Sequence, residues 1–420
     1  MKRNLKKAAL ISISTMMIAS CNTQKANSSN GPALKADDME TIERETLILT
    51  DNQRKMVNQN NTFALNLFKE VSGMDSRIIS PLSISYLMGM LANGADGQTR
   101  SEILKTLGWK DASVEDINAL CKLIMEKAGK LDPATTINIA NYIAVNNQHK
   151  LKKDFAQTVS DNYKAGVDNL DFTSPNTTKR INSWCKKQTD GMIPEIIDKV
   201  EPSAIAYIMN AIYFNGTWKE PFEKNLTKEE RFQGYTRDIK KVQMMHNNEE
   251  YMYTANDTYA AINLPYGNQT YQMTVLLPNA DKSIQDVLAK LDAKELENLR
   301  SGMSKYSVDL KLPRFTTELS LSLNDIISKL GAPSMFNGSG ADFSHFANGD
   351  LFISQMFQKA KIEVTEEGTK AAAVTAAVMM ASCVYNEPRR AQFHANRPFV
   401  YIISESNTGA IFFMGQFTGE

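Results

Sequence analysis

The chain has 420 residues, of which 42% are hydrophobic, and its 47 basic residues balance its 47 acidic ones. This composition is that of a globular protein with enough chain to bury a sizeable core, in one large domain or two. Zero net charge argues against electrostatic binding of nucleic acid. The four histidines show no spacing typical of metal ligands, so we expect neither a metal nor another cofactor.

The first twenty residues have the pattern of a secretory signal peptide. Basic residues precede an apolar run, residues 8–19, that is too short for a stable membrane anchor. Residues 18–21 read IASC and resemble a bacterial lipobox, in which cleavage before the cysteine leaves Cys21 to be lipidated. The alternative is an ordinary signal peptide with a cysteine there by chance. We expect a lipid anchor in the cell envelope, at the outer membrane or the cell surface.

The next part of the chain predicts a tether and then two helices. Residues 22–50 are polar, without a sustained apolar period, which is typical of a flexible tether. Residues 51–71 have helical spacing. Pro81 fits the first turn of a second helix, where its missing N–H costs nothing. Because residues 82–91 carry no charge on any face, that helix is predicted to lie in the centre of the fold.

Strand patterns follow. Residues 137–146 predict a long strand, and residues 206–214 are nearly all apolar, as in a sheet covered on both faces. A turn signal and Trp218 come after the second of these strands. Residues 308–315 alternate apolar and polar side chains, which predicts a half-buried strand.

The remaining cysteines do not indicate a disulfide framework. With Cys21 lipidated, three are left, so at least one is free. Cys121 and Cys185 occupy helical patterns and are predicted to be buried apolar residues.

Residues 363–384, EVTEEGTKAAAVTAAVMMASCV, form an unusual segment. Its last fourteen residues contain no charge, glycine or proline. The alanines favour a helix, yet small side chains at every second position also fit a strand. A polar, turn-rich stretch, residues 385–390, follows and predicts an exposed loop. On composition alone, the segment is a buried helix or a core strand.

Residues 359–375, KAKIEVTEEGTKAAAVT, resemble the hinge of the serpins, the serine protease inhibitor superfamily. Residues 393–400, FHANRPFV, and 412–415, FFMG, resemble the end of a serpin chain. The resemblance extends over residues 51–420. It implies an α+β fold, with helices around a large central mixed β-sheet, further sheets and an exposed reactive-centre loop at about residues 366–392.

The resemblance also implies a mechanism, in which a protease cuts the loop and the loop then inserts into the main sheet while the acyl-enzyme is still attached. Such a protein is a suicide inhibitor of serine endopeptidases, with cysteine endopeptidases as a second class, and it is not an enzyme. The resemblance implies a gate formed by Trp218 and Gln358, where serpins commonly carry a histidine at the second position, and Ser76 stands where its usual asparagine partner is expected. The implied hinge residues are Glu366, Glu367, Gly368, Thr369, Ala371, Ala373 and Thr375.

The scissile bond implied by the resemblance lies about sixteen residues after Glu366, at Ser382-Cys383, with Ala381 as a neighbouring candidate. Small side chains there favour an elastase-like or subtilisin-like target, with a papain-like protease as a further candidate. Arg389 and Arg390 suit a trypsin-like protease but lie too far along the chain.

We expect a monomer, with target proteases and a membrane as partners and without nucleic acid. One alternative is a non-inhibitory serpin that acts as a surface binding protein. A surface hydrolase is the other, and no nucleophile–base motif supports it.

Overall fold

The computed structural model describes residues 46–369 and 389–420. Within these ranges the α-helices are α1 (Asp51–Val71), α2 (Pro81–Gly94), α3 (Gly97–Thr106), α4 (Val114–Lys127), α5 (Lys153–Tyr163), α6 (Asn176–Gln188), α7 (Ile284–Lys290), α8 (Ala293–Gly302) and α9 (Asn324–Leu330). The strands are β1 (Arg77–Ile79), β2 (Thr135–Asn146), β3 (Gly166–Leu170), β4 (Ala206–Thr217), β5 (Lys228–Gln233), β6 (Ile239–Ala255), β7 (Tyr259–Pro265), β8 (Tyr271–Pro278), β9 (Ser304–Pro313), β10 (Phe315–Ser322), β11 (Gln355–Thr365), β12 (Gly368–Thr369), β13 (Arg390–His394), β14 (Phe399–Glu405) and β15 (Ile411–Phe417).

The first two helices confirm their sequence signals. Helix α1 begins with a capping box, in which the side chains of Thr50 and Gln53 each accept a hydrogen bond from the other residue's backbone N–H. Helix α2 begins at Pro81, directly after the N-cap Ser80, and all of its residues except Asn93 are buried. Its lack of charge therefore reflects a central position in the core.

One sheet has six strands in the order β10-β11-β12-β4-β2-β3. It is mixed, because β11 pairs with β4 in parallel whereas β2 pairs with β4 antiparallel. Helix α2 packs against β4, and an apolar cluster that includes Ile181 and Cys185 of α6 also contains Met209 of β4. The ring of Trp184 on α6 lies 4.5 Å from that of Tyr142 on β2. The apolar sequence of β4 is thus explained by burial in the middle of a covered sheet.

A second sheet has nine strands. Eight follow the order β1-β15-β14-β8-β7-β6-β9-β13, and β5 is added to β6. Strand β13 lies at the edge and pairs in parallel with β9. The two sheets and the surrounding helices give the predicted α+β architecture, with a large mixed sheet.

Three expectations need correction. The strand predicted at residues 308–315 is two strands in different sheets, because β9 ends at Pro313 and β10 begins at Phe315. The predicted tether extends too far, since Leu47 and Leu49 are buried in the main core. The ends of the predicted loop, residues 366–369 and 389–392, belong to paired backbone, as described below.

Cys121 on α4 and Cys185 on α6 are free and buried, as predicted. Burial raises the pKa of the Cys185 thiol to about 12, which keeps it protonated at neutral pH. None of the described helices is both long and apolar enough to cross a bilayer.

Candidate functional site

The central strands of the six-stranded sheet, β11 and β4, are paired over only part of their length. They lie side by side, in parallel, as far as Lys361 opposite Tyr213. Continuing that register would place Val364 opposite Gly216. Thr369 lies between these two residues and pairs with both. A new strand, β12, has therefore begun between β11 and β4 at this end of the sheet.

Two features allow β12 to fit there. Gly368 has a φ of +146°, and a Cβ atom at this position would lie 2.1 Å from the carbonyl oxygen of Gly216, so a side chain is excluded. The hydroxyl of Thr369 is buried and lies 2.7 Å from the hydroxyl of Tyr266. Burial raises the pKa of Tyr266 far above its usual range, so this phenol remains a neutral donor or acceptor.

Trp218 fastens the backbone that leads into β12. Its indole stacks on the ring of Tyr266, with centroids 4.3 Å apart. Its Nε1–H donates to the carbonyl oxygen of Thr365 over 2.9 Å, and its backbone N–H donates to that of Glu367 over 3.0 Å. The N–H of Phe222 donates to the carbonyl oxygen of Glu366 over 2.8 Å. Three consecutive carbonyl oxygens of the turn between β11 and β12 thus accept hydrogen bonds from Trp218 and Phe222.

The two glutamates of this turn have different surroundings. Glu366 is 4% exposed, and its Oε1 accepts a hydrogen bond from the Thr227 hydroxyl over 2.8 Å. The same oxygen lies 3.5 Å from Nη1 of Arg314. Glu367 forms an ion pair with Lys224, which is largely exposed. Glu366 is therefore a buried anchor, whereas Glu367 is held at the surface.

Gln358, on β11, lies further from the turn, where it is opposite Asn210 on β4. Its Oε1 accepts from the N–H of Ser80 over 2.8 Å, and its Nε2 donates to the Ser80 carbonyl over 2.9 Å and to Oδ1 of Asn210 over 3.2 Å. Asn210 in turn donates to Asn141 on β2 over 3.0 Å. This amide network joins β11, β4, β2 and the start of α2, and its members do not titrate near neutral pH.

Ser76, at the position of the usual asparagine partner, forms its described hydrogen bonds with the C-terminal residues rather than with Gln358. Its hydroxyl donates to the backbone carbonyl oxygen of Glu420 over 3.0 Å and lies 3.4 Å from the side-chain hydroxyl of Thr418. Sequence reasoning looked for the partner of Gln358 close to the start of β1, whereas Asn210, on the adjacent strand, fills that role.

The chain leaves the predicted loop at the edge of the other sheet. Strand β13 begins at Arg390, which lies opposite Ser307 on β9, and the N–H of Ser307 donates to the carbonyl oxygen of Arg389 over 2.8 Å. Both arginines thus belong to sheet-bonded backbone. A protease requires an extended segment free of such pairing, which adds a structural reason to the spacing argument against cleavage here.

Six of the site residues predicted from sequence are described: Trp218, Gln358, Glu366, Glu367, Gly368 and Thr369. All six lie along the junction of β11, β12 and β4. The other predicted residues lie outside the described residues: Cys21, Ala371, Ala373, Thr375, Ala381, Ser382 and Cys383.

Sequence reasoning missed the partners that hold this junction together. Thr227 and Arg314 lie 139 and 52 residues from Glu366, and Tyr266 lies 103 residues from Thr369. The only sequence signal for Arg314 was a lone basic residue after a strand-ending proline. Single positions of this kind do not indicate which strand they will face.

Comparison with known proteins agrees with this geometry. A sequence profile of the family described as Serpin (serine protease inhibitor) matches residues 58–419. The human leukocyte elastase inhibitor is 32% identical over an alignment of 375 positions that covers 86% of this chain and 98% of that protein.

Solved structures are similar as well. The thermophilic serpin tengpin in its native state matches with a TM-score of 0.81 and 30% identity over 91% of this chain and 98% of that one. Thyroxine-binding globulin in complex with thyroxine matches with a TM-score of 0.77 and 26% identity, over 86% and 98% of the two chains.

The large mixed sheet, the second sheet and the surrounding helices, together with these matches, define a serpin fold. The chain belongs to the serpin family, whose members are named for the inhibition of serine proteases.

Proposed function

We propose that this protein is an irreversible suicide inhibitor of serine endopeptidases, with cysteine endopeptidases as a second target class. The observation that carries the proposal is the position of Thr369 between β11 and β4. The segment that follows Thr369 needs only to continue in the same direction to become a full strand of the sheet.

The reaction follows from the chemistry of acyl transfer. The protease nucleophile attacks the carbonyl carbon of the residue before the scissile bond, which we place at Ser382-Cys383 or beside it at Ala381. The peptide bond breaks, the amine of the new N-terminus leaves, and the loop remains joined to the protease as an acyl-enzyme. The protease supplies the catalytic groups, so the inhibitor itself needs no enzymatic activity.

Insertion would then carry the protease across the molecule. About fifteen residues at roughly 3.3 Å each span about 50 Å. A compact domain of this size has a radius of gyration near ~21 Å, hence a width on the order of 50 Å. With roughly 1 kcal/mol net for each new ladder hydrogen bond, a full strand would release on the order of 10 kcal/mol.

The sequence after Thr369 suits burial in the sheet. Thr369 points into the core, where its hydroxyl meets Tyr266. By alternation Ala371, Ala373, Thr375 and Ala377 would also point inward, and all of them are small. Lys370 would point outward. No inward position requires a charge to be buried.

Further parts of the proposal rest on sequence. The small side chains near Ser382 favour an elastase-like or subtilisin-like target, and a papain-like protease is a further candidate. The similarity to a leukocyte elastase inhibitor supports the first of these. The IASC motif supports a bacterial lipoprotein, exported and lipidated at Cys21, that presents a monomeric inhibitor at the outer membrane or cell surface.

The alternative is a non-inhibitory serpin that binds a ligand or protein at the surface. The similarity to thyroxine-binding globulin, a serpin-fold protein solved with a bound hormone, keeps this alternative in view. The two functions differ in what happens to a protease that cuts the loop.

The test is to incubate residues 22–420 with elastase, subtilisin, trypsin and papain and to separate the products on denaturing gels. An adduct that survives denaturant supports inhibition, and mass spectrometry of the released fragment locates the scissile bond. Clean cleavage by every protease would support the binding protein instead.

Ala373→Glu tests the insertion step. A carboxylate at an inward position would have to be buried, so we expect the variant to be cleaved as a substrate with little adduct. The matched control is Ala372→Glu, whose side chain would point to solvent and should leave adduct formation intact. Equal adduct yields from the two variants would contradict insertion.

A further inference from the structure

The C-terminal end of the loop is fastened by a group of side chains outside the junction of β11, β12 and β4. Asp309, on β9, lies between two histidines from the neighbouring strands. Its Oδ1 is 2.8 Å from Nε2 of His246 on β6, and its Oδ2 is 3.0 Å from Nε2 of His394 on β13. Gln392, also on β13, donates to Oδ2 over 3.3 Å.

The strand register explains why these residues meet. His394 and His246 are both opposite Lys311 on β9, and Gln392 is opposite Asp309 itself. Residues that alternate along neighbouring strands share one face of a sheet, so all five side chains are on the same side. That side is partly open to solvent. The chain positions of the two histidines, 148 residues apart, gave no sign of this arrangement.

The other charged side chains near this cluster are arranged in pairs. Glu229 on β5 pairs with Lys241 on β6 over 2.6 Å, and Glu230 on β5 pairs with Lys311 on β9 over 2.8 Å. Further along the same face, Glu250 pairs with Lys305. The remaining charges that face the cluster from the described strands are Arg231 on β5 and Arg390 on β13.

Asp309 therefore differs from the carboxylates around it. Each of those has a lysine partner, whereas the described partners of Asp309 are two imidazoles and an amide. No group of three or more side chains in the described residues is arranged to hold a metal ion.

Strand β13 depends on few other contacts. It has five residues and, within the described part of the chain, pairs with β9 alone. Phe393 is buried beneath it. Main-chain pairing and an apolar side chain hold the strand equally at any pH near neutrality. The contact of Asp309 with His394 is the one that changes with protonation.

We propose that Asp309 is a positioning residue that fastens β13, and with it the C-terminal end of the reactive loop, more tightly when the imidazoles of His246 and His394 are protonated. The mechanism is local. A neutral imidazole donates from Nε2 only in one tautomer, whereas a protonated imidazole always donates and adds a charge to the hydrogen bond.

The fastening persists well into the acid range. Burial alone would raise the pKa of Asp309, but hydrogen bonds from His246, Gln392 and His394 outweigh it and hold that pKa below its ordinary value. A lowered carboxyl pKa means that the contact is lost only as the pH falls through that value. The fastening should thus be stronger in mildly acidic solution, where imidazoles are generally protonated and Asp309 is still ionised, than at alkaline pH.

The consequence for inhibition rests on the proposed function. The strand that would enter the main sheet after Thr369 and the strand that leaves at Arg390 are the two ends of one uncut segment. While β13 is fastened, little of that segment is free to enter the sheet before a protease cuts it. The contact therefore favours the intact, cleavable loop.

Hydrogen exchange of the β13 amides tests the proposal without a protease, so the result stands whether or not the protein forms adducts. The intact chain is labelled at pH 5.5 and at pH 8.0, with rates corrected for the intrinsic pH dependence of exchange. The partly exposed ion pair between Asp309 and His394 predicts roughly two- to five-fold slower corrected exchange of residues 390–394 at pH 5.5.

Three variants complete the experiment. Asp309→Asn should abolish the pH difference, and His246→Gln with His394→Gln, which keeps side-chain donors but cannot titrate, should retain protection while losing the pH difference. His345→Gln is the matched control, because His345 lies 3.3 Å from Asp96 on another part of the fold, and it should behave like the unmodified protein. Equal corrected rates at the two pH values in the unmodified protein would overturn the proposal, as would an unchanged pH difference in the histidine double variant.

Discussion

The chain enters the predicted reactive loop from the middle of one sheet and leaves it at the edge of another. On the entry side, Thr369 is fully buried between two strands. The turn that precedes it contains the buried carboxylate of Glu366. On the exit side, β13 is an edge strand whose polar contacts with Asp309 are partly open to solvent. Both ends are hydrogen-bonded to a sheet, but among the described strands the entry side has a neighbour on each side, whereas β13 has one.

This difference indicates which end is built to move further into the fold. At the entry side a side chain is excluded at Gly368, and the small Thr369 that follows lies between β11 and β4 at the point where their direct pairing ends. At the exit side Phe393 and the imidazole contacts hold the chain at the rim. The asymmetry fits a loop that inserts from its N-terminal end after it has been cut.

The largest effect on this comparison is expected from Gly368→Ala. The new Cβ would meet the Gly216 carbonyl at 2.1 Å, and the φ of +146° is strained for any other residue, so the inserted arrangement should lose at least about 3 kcal/mol. We expect the yield of protease adduct to fall by at least about ten-fold, since 1.4 kcal/mol corresponds to that factor. Quantitative gels measure it.

Gly191→Ala is the matched control for backbone strain. Gly191 also has a positive φ, +80°, but a Cβ there would meet nothing within 4 Å. If both variants reduced the adduct yield equally, the close approach of Gly368 to Gly216 would not be what matters.

A smaller effect is expected from Glu366→Ala. Removing this buried carboxylate leaves the Thr227 hydroxyl without its acceptor, and we expect a loss of about 1–3 kcal/mol in the free energy of unfolding, measured with urea. Glu367→Ala removes a carboxylate whose lysine partner is exposed, and should change stability much less. A larger loss of stability from Glu367→Ala than from Glu366→Ala would show that the exposed ion pair, rather than the buried carboxylate, stabilises the entry side.

The smallest effect at neutral pH is expected from Gln358→His, which introduces a titratable group between β11 and β4. A buried imidazole has a lowered pKa, so its stabilisation is present above the unfolded value of about 6.5 and is lost as the pH falls. The variant should lose stability between about pH 6.5 and pH 5 relative to the parent, in thermal melts at several pH values. If the melting temperatures of the variant and the parent changed with pH in the same way, this account of an amide gate would be contradicted.

Much of the fold followed from local signals. The helical spacing of residues 51–71, the proline at position 81 and the uncharged helix after it predicted α1 and α2, and the apolar run at residues 206–214 predicted a strand in a covered sheet. The boundary at Arg314 did not follow, because strands on either side of one residue continue the same alternation while joining different sheets.

The candidate site was predictable only in part. The residues predicted as the hinge are consecutive in the chain, so a sequence motif can indicate them. Its partners could not, since Tyr266, Asn210 and Arg314 become neighbours only when distant strands pair. The same holds for Asp309 and its histidines, which strand register alone brings together.

The most direct test of the central claim is a crystal structure of the protein after its loop has been cut by an elastase-like protease. Gln358 and Asn210 now lie opposite each other on adjacent strands. We predict that a new strand continuing from Thr369 separates them, increasing the distance between β11 and β4 from about 4.8 Å to about 9.6 Å. A cut loop with Gln358 still opposite Asn210 would contradict insertion.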